Sequence, residues 1–201
     1  MNNRFARKVN EARKRNQKLF CAYLTLGFPN LSTTERLILA LEEAGVDLIE
    51  LGFPFSDPLA DGPMIQFASG EAIKRGVRFE DLFNLVKRLR KKGSQIPIFL
   101  FSYLNPVMHF GISRAFHHLR QSGFDGLIIP DLPPEEGGAL ERESKRLGLS
   151  LVYLAAPTTG RKRLAQIAKH STCFIYYVSL CGVTGARIKL PSDLIRRLRQ
   201  L

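Results

Sequence analysis

Two acidic residues stand out by where they sit. Glu50 lies in Leu48-Ile49-Glu50-Leu51, inside an apolar run that reads as a strand. A buried carboxylate is costly unless it is paired or functional. Desolvation also raises its pKa, which suits proton transfer near neutral pH. The plainer alternative is a Glu salt-bridged beneath the sheet. Asp61 follows in Pro58-Leu59-Ala60-Asp61-Gly62-Pro63, where Gly and Pro favour a tight loop able to fold back over the strand end. There it can work opposite Glu50, or it can simply cap the loop. Asp57 reads as a loop or helix cap. The segment Ser179–Arg187 contains Gly182 and Gly185, whose backbone N–H groups can hold an anion, although the lysine spacing of a P-loop is missing.

The elements that must position these residues alternate regularly. Apolar runs at Leu19–Leu26, Val46–Leu51, Ile96–Phe101, Gly126–Ile129, Ser150–Leu154 and Phe174–Val178 read as six strands. They are near-continuous rather than alternating, as in parallel sheets buried on both faces. Helical patterns fall between them. One starts at Ser32, where Ser32 and Glu35 resemble a capping box, and runs to about Ala44. Others cover Ile65–Lys74, Phe79–Lys92, Ser113–Ser122, a stretch opening at Pro134 with Glu135 and Glu136, and Lys162–His170; the last opens at Pro191. Such units build either a barrel or an open doubly wound sheet. No G-x-G-x-x-G follows the first strand, which weakens the dinucleotide-binding version. Polar residues gather after the strand ends: Asp57, Asp61, Asp131 and Ser179–Arg187. That is where barrels keep their chemistry.

Composition bounds the rest. The 201 residues are 45% hydrophobic and 24% charged, with no linker or low-complexity tract, so residues 1–201 read as one domain. The net charge of +12 is concentrated towards the N-terminus, where Arg4, Arg7, Lys8, Arg13 and Arg15 face only Glu11. No nucleic-acid motif accompanies it, and a solvated helix face that attracts phosphorylated substrates is the simpler reading. Cys21, Cys173 and Cys181 form no C-x-x-C pair and read as buried or incidental thiols of a cytoplasmic protein. The four histidines lack zinc-ligand spacing. No apolar run reaches membrane-spanning length. No lysine falls within the strand interiors, so a Schiff-base aldolase has no obvious nucleophile.

The run Ile49-Glu50-Leu51-Gly52-Phe53-Pro54-Phe55-Ser56-Asp57-Pro58-Leu59-Ala60-Asp61-Gly62-Pro63 resembles the signature of tryptophan synthase alpha subunits. Tyr23-Leu24-Thr25-Leu26-Gly27-Phe28-Pro29, Tyr103-Leu104-Asn105-Pro106, Pro130-Asp131-Leu132-Pro133 and Gly182-Val183-Thr184-Gly185 extend the likeness over almost the whole chain. The resemblance implies a TIM-type (β/α)₈ barrel that cleaves indole-3-glycerol phosphate to indole and glyceraldehyde 3-phosphate. It implies Glu50 as the group protonating indole C3, and often as the base for the C3′ hydroxyl. It gives Asp61 the indole N–H and the positive charge developing there. Tyr103 and Tyr176 would line the indole pocket, Phe101 and Ile128 its apolar wall. Thr184 would position Asp61, and Gly185 would face the substrate phosphate. The family's alpha subunit takes no cofactor; pyridoxal phosphate belongs to the beta subunit with which it assembles, an alpha2-beta2 complex being implied.

Six strand–helix units are legible, whereas this barrel needs eight and about 250 residues. The missing two would carry most of the phosphate-binding glycines and a serine, and their absence would expose the first and sixth strands as edges. A poorly stable, weakly active chain is therefore expected. Besides the enzyme, two readings stay open: a non-catalytic remnant that binds and activates a beta subunit, and a basic nucleic-acid binder.

Overall fold

The computed structural model describes residues 4–178. Thr184, Gly185, Cys181, the Ser179–Arg187 loop and the helix expected from Pro191 lie outside the described residues.

Helix α1 (Arg4–Lys14) precedes the first strand, β1 (Cys21–Thr25). There follow α2 (Leu31–Glu43), β2 (Leu48–Gly52), α3 (Pro63–Lys74), α4 (Phe79–Lys91) and β3 (Ile98–Phe101). The chain continues through α5 (Leu104–Phe110), α6 (Ile112–Ser122), β4 (Gly126–Ile128), a 3₁₀ turn at Pro134–Glu136 and α7 (Gly138–Leu147). The described residues end with β5 (Ser150–Val152), β6 (Leu154–Ala155), α8 (Arg161–His170) and β7 (Tyr176–Tyr177). Strands β1 to β5 pair in chain order, all parallel, and β6 pairs with β7, also parallel.

The fifth expected strand is divided at Tyr153 into β5 and β6. The two halves still act as one ribbon. Thr172 N–H donates to the Leu151 carbonyl, Tyr176 N–H to that of Tyr153, and Val178 N–H to that of Ala155. The result is a six-ribbon arc with helices on its outer side, a partial (β/α) barrel.

The two faces of the arc explain the unbroken apolar runs. Ile49, Leu51, Ile98, Leu100, Leu127 and Leu151 point outwards, into a core shared with Ile38, Leu82, Leu85, Val86, Phe116 and Leu119 of the helices. Leu48, Phe99, Ile128 and Val152 point inwards and meet Phe5 from α1, which closes the N-terminal end of the arc. Phe5 packs edge-on against Phe99 at 5.4 Å between ring centres. Each such fully buried side chain contributes roughly 1.5–3 kcal/mol. The basic N-terminal segment is thus amphipathic, with its apolar stripe acting as a plug.

Beneath that plug, Asp125 accepts hydrogen bonds from Ile98 N–H (3.0 Å), Arg90 (3.3 Å) and Arg4 (3.4 Å). Arg90 also donates to the carbonyls of Gly123, Ser94 and Ile96. One buried charge cluster therefore ties α1, the end of α4, β3 and β4 together.

Some local expectations are corrected. The α2 cap is Asn30, whose side-chain oxygen accepts Thr33 N–H at 2.8 Å, so Ser32 already lies within the helix. Glu35 is freed from a capping role and instead pairs with Arg88 (2.7 Å) and Lys92 (2.8 Å) of α4. The Pro134 stretch forms only a 3₁₀ turn before α7 begins at Gly138. Helix α5 was not expected; Leu104, Pro106 and Phe110 are too short a run to show helical period by themselves. Among the described residues no helix is long and apolar enough to cross a membrane.

Candidate active site

Glu50 is the third residue of β2, on the inward face, and only 7% exposed. No cation reaches it among the described residues, so a salt bridge beneath the sheet does not account for it. Its Oε1 takes one hydrogen bond, from the Cys21 thiol of β1 at 3.3 Å. Burial pushes the Glu50 carboxyl above its ordinary value, and the Cys21 hydrogen bond opposes this only in part. Tyr23, its register partner on β1, leans across to Gly52, where any Cβ would collide with the phenol oxygen. Glycine at this position is what lets the tyrosine lie at the strand mouth.

Asp61 reaches the same region from the loop between β2 and α3. Its own N–H donates to the Pro58 carbonyl (3.1 Å), and Gln66 of α3 donates to its carbonyl (2.9 Å), which bends the loop back. Tyr103 pins the loop: its hydroxyl accepts Ala60 N–H at 2.8 Å and lies near enough to Asp61 to favour the ionised carboxylate. The Phe55 ring packs against Tyr103 at 5.4 Å. Asp61 is 6% exposed, and burial raises its carboxyl against the opposing pull of Tyr103. Tyr103 itself is pushed up to about 12, first by burial and then by the neighbouring carboxylate.

Two tyrosines connect the acids. Both Tyr23 and Tyr176 are raised first by burial and further by the negative charge of Glu50 and of Asp61, Tyr176 to about 12. Glu50 and Asp61 thus both lie near these two tyrosines, at the mouth formed by β1, β2 and β7. Phe101 borders it, with ring centres 5.6 Å from Tyr23 and 6.4 Å from Tyr176. Ile128 is fully buried one layer further in, within the cluster around Phe5.

The other polar residues at the strand ends are structural. Asp131 accepts Leu104 N–H at 2.9 Å and caps α5. Asp57 is exposed and takes the Ser56 hydroxyl. Of the cysteines expected to be buried or incidental, Cys173 is exposed and Cys21 is half-buried. Cys21 and Tyr23 were not foreseen as site residues. The available signal was register: on the strand beside Glu50, inward positions two apart must flank it.

A cavity of about 510 Å³ opens elsewhere, between α4, α5 and α6, lined by Phe53, Phe55, Phe79, Phe110, His109 and Arg114 among others. Volume alone would favour it as the site. It holds no buried carboxylate, however, and the desolvated acids mark the strand mouth instead.

A parallel β/α arc with desolvated carboxylates at its C-terminal mouth has the architecture of the barrel enzymes. The sequence profile of the tryptophan synthase alpha chain family matches residues 9–201. The chain belongs to that family, whose members are lyases cleaving indole-3-glycerol phosphate in tryptophan biosynthesis. It is 44% identical over 189 residues to the tryptophan synthase alpha chain of Citrifermentans bemidjiense, covering 94% of this chain and 70% of that one. With that of Geobacillus kaustophilus the identity is 46% over 186 residues, 92% of this chain and 69% of the relative. The crystal structure of the alpha chain from Legionella pneumophila superposes with a TM-score of 0.89 at 34% identity, over 100% of this chain and 73% of that one. The chain thus spans about 70% of the length of its curated relatives.

Proposed function

We propose that Glu50 and Asp61 are the acid–base pair of a retro-aldol cleavage of indole-3-glycerol phosphate. The Glu50 carboxylate takes the C3′ hydroxyl proton and, once protonated, delivers a proton to indole C3. The C3–C3′ bond breaks as the C3′ oxygen becomes the aldehyde of glyceraldehyde 3-phosphate. Asp61 accepts the indole N–H and stabilises the positive charge that develops on the ring. Tyr23, Phe101, Tyr103 and Tyr176 border the indole, with Ile128 behind them as the apolar wall. Thr184 would hold Asp61 and Gly185 the substrate phosphate.

The observation that carries this reading is the convergence of two desolvated carboxylates on one space flanked by Tyr23 and Tyr176. Burial keeps Glu50's proton affinity nearer to neutral pH, where one group can serve as base and then as acid. The chemistry uses no cofactor of the chain's own. Pyridoxal phosphate belongs to a beta subunit with which the chain would assemble in the cytoplasm and which would receive the indole.

Indole release from indole-3-glycerol phosphate, with and without added tryptophan synthase beta subunit, tests the proposal. Release that vanishes in both Glu50→Gln and Asp61→Asn is the expected result. Should the chain stimulate a beta subunit yet never form indole, the non-catalytic remnant is the correct reading.

A further inference from the structure

We infer that Cys21 is a positioning residue for Glu50: its thiol holds the carboxylate from below, leaving the second oxygen turned towards the substrate. This deepens the reading of Glu50 as the proton carrier and rests on it.

Cys21 opens β1 and lies beside Leu48, one inward position below the Tyr23–Glu50 pair. From there its Sγ reaches Glu50 Oε1 diagonally at 3.3 Å. No other side chain among the described residues hydrogen-bonds the Glu50 carboxylate, and Oε2 has no such partner. The thiol is the donor in this contact. Burial and the adjacent carboxylate hold Cys21 far above the ordinary thiol range, so it keeps its proton wherever Glu50 titrates. A thiol is a weak donor. In a desolvated site even a weak donor favours the charged form, and here it opposes the rise that burial imposes on Glu50.

Among the described residues the thiol has no rival. The other titratable groups near Glu50 are Tyr23 from β1 and Tyr176 from β7, both of which also feel Asp61 from the loop above. Phe99 and Phe101, its neighbours on β3, offer only ring surface. Tyr23 and Tyr176 stay neutral at working pH, and Asp61 can only accept when ionised. Cys21 therefore sets two properties of Glu50 together: which oxygen is free, and at what pH it is charged.

The test is a titration of the Glu50 carboxyl by carbon-13 NMR in the 201-residue protein, alongside Cys21→Ala, Cys21→Val and Cys21→Ser. Removing the donor should raise the midpoint by about half a pH unit, on the order of a threefold loss of ionised form on its acid side. Cys21→Ser, which restores a donor, should bring the midpoint back towards the parent value. A midpoint shared by all folded variants overturns the inference. A Cys173→Ser, Cys181→Ser protein, in which Cys21 is the one thiol left, supplies a second reading that keeps the Cys21–Glu50 contact unaltered. Its Cys21 S–H stretch in the Raman spectrum should sit at the low frequency of a bonded thiol above the Glu50 midpoint and rise below it. A pH-independent band overturns the inference equally. Neither readout involves indole, so the coupling and the proposed cleavage fail separately: silent indole assays with a shifting midpoint reject the activity alone.

Discussion

Glu50 and Asp125 are carboxylates buried in the same arc, one at each end, and their surroundings differ sharply. Asp125 is met by a backbone N–H and two guanidinium groups. Glu50 receives one thiol hydrogen bond and no cation. At the N-terminal end several donors oppose the rise that burial imposes on Asp125, and the cluster locks four elements together. At the C-terminal end one weak donor opposes the rise of Glu50. Burial alone therefore does not identify a working acid. What distinguishes it is how few partners accompany the burial.

The largest effect should separate the two carboxylates by function. Glu50→Gln removes the proton carrier but keeps the side chain's shape. Indole formation should fall by roughly two to four orders of magnitude, with urea unfolding no easier than in the parent. A loss of stability matching the loss of activity would erase the distinction between the two ends.

Asp125→Ala should do the reverse. It strands Arg90 and Arg4 in a buried site, which typically costs about 3–5 kcal/mol. The unfolding midpoint in urea should drop accordingly. If it hardly moves, the base of the arc is not held by this cluster.

Tyr103→Phe is expected to act in between, removing the hydroxyl that accepts Ala60 N–H and favours the ionised form of Asp61. About 1 kcal/mol of local stability should be lost, with a weaker hold on Asp61 that appears as a larger kcat effect than stability effect.

The smallest effect concerns pH. The folded value of Glu50 lies above its ordinary one, so the folded state holds that proton more tightly. Its contribution is complete below the ordinary value of about 4.3 and is lost as pH rises through the raised one. Glu50→Gln does not titrate, so its stability relative to the parent should improve steadily from about pH 4 towards neutrality. Thermal unfolding across that range checks the sign.

Much of this was legible in the sequence. The unbroken apolar runs gave the parallel strands because an arc covered on both sides needs hydrophobic side chains in both directions, as Ile49 and Leu48 show. Glu50 was conspicuous because it stands between apolar neighbours in Leu48-Ile49-Glu50-Leu51. Strand and helix limits moved by a few residues, since the ends are set by caps such as Asn30 rather than by period. Helix α5 escaped because its short apolar run carries no periodic signal, and Asp131 was misleading because its partner, Leu104 N–H, lies on a different element, the start of α5.

The sequence by itself determined that a carboxylate would be buried in a strand and that a Gly- and Pro-flanked Asp would follow it, because these are properties of neighbours along the chain. Only the tertiary structure decided which carboxylate would be neutralised and which left bare. Arg4, Arg90 and Asp125 are far apart in the sequence, as are Cys21 and Glu50, and only strand register and helix packing bring donor and acceptor within hydrogen-bonding distance.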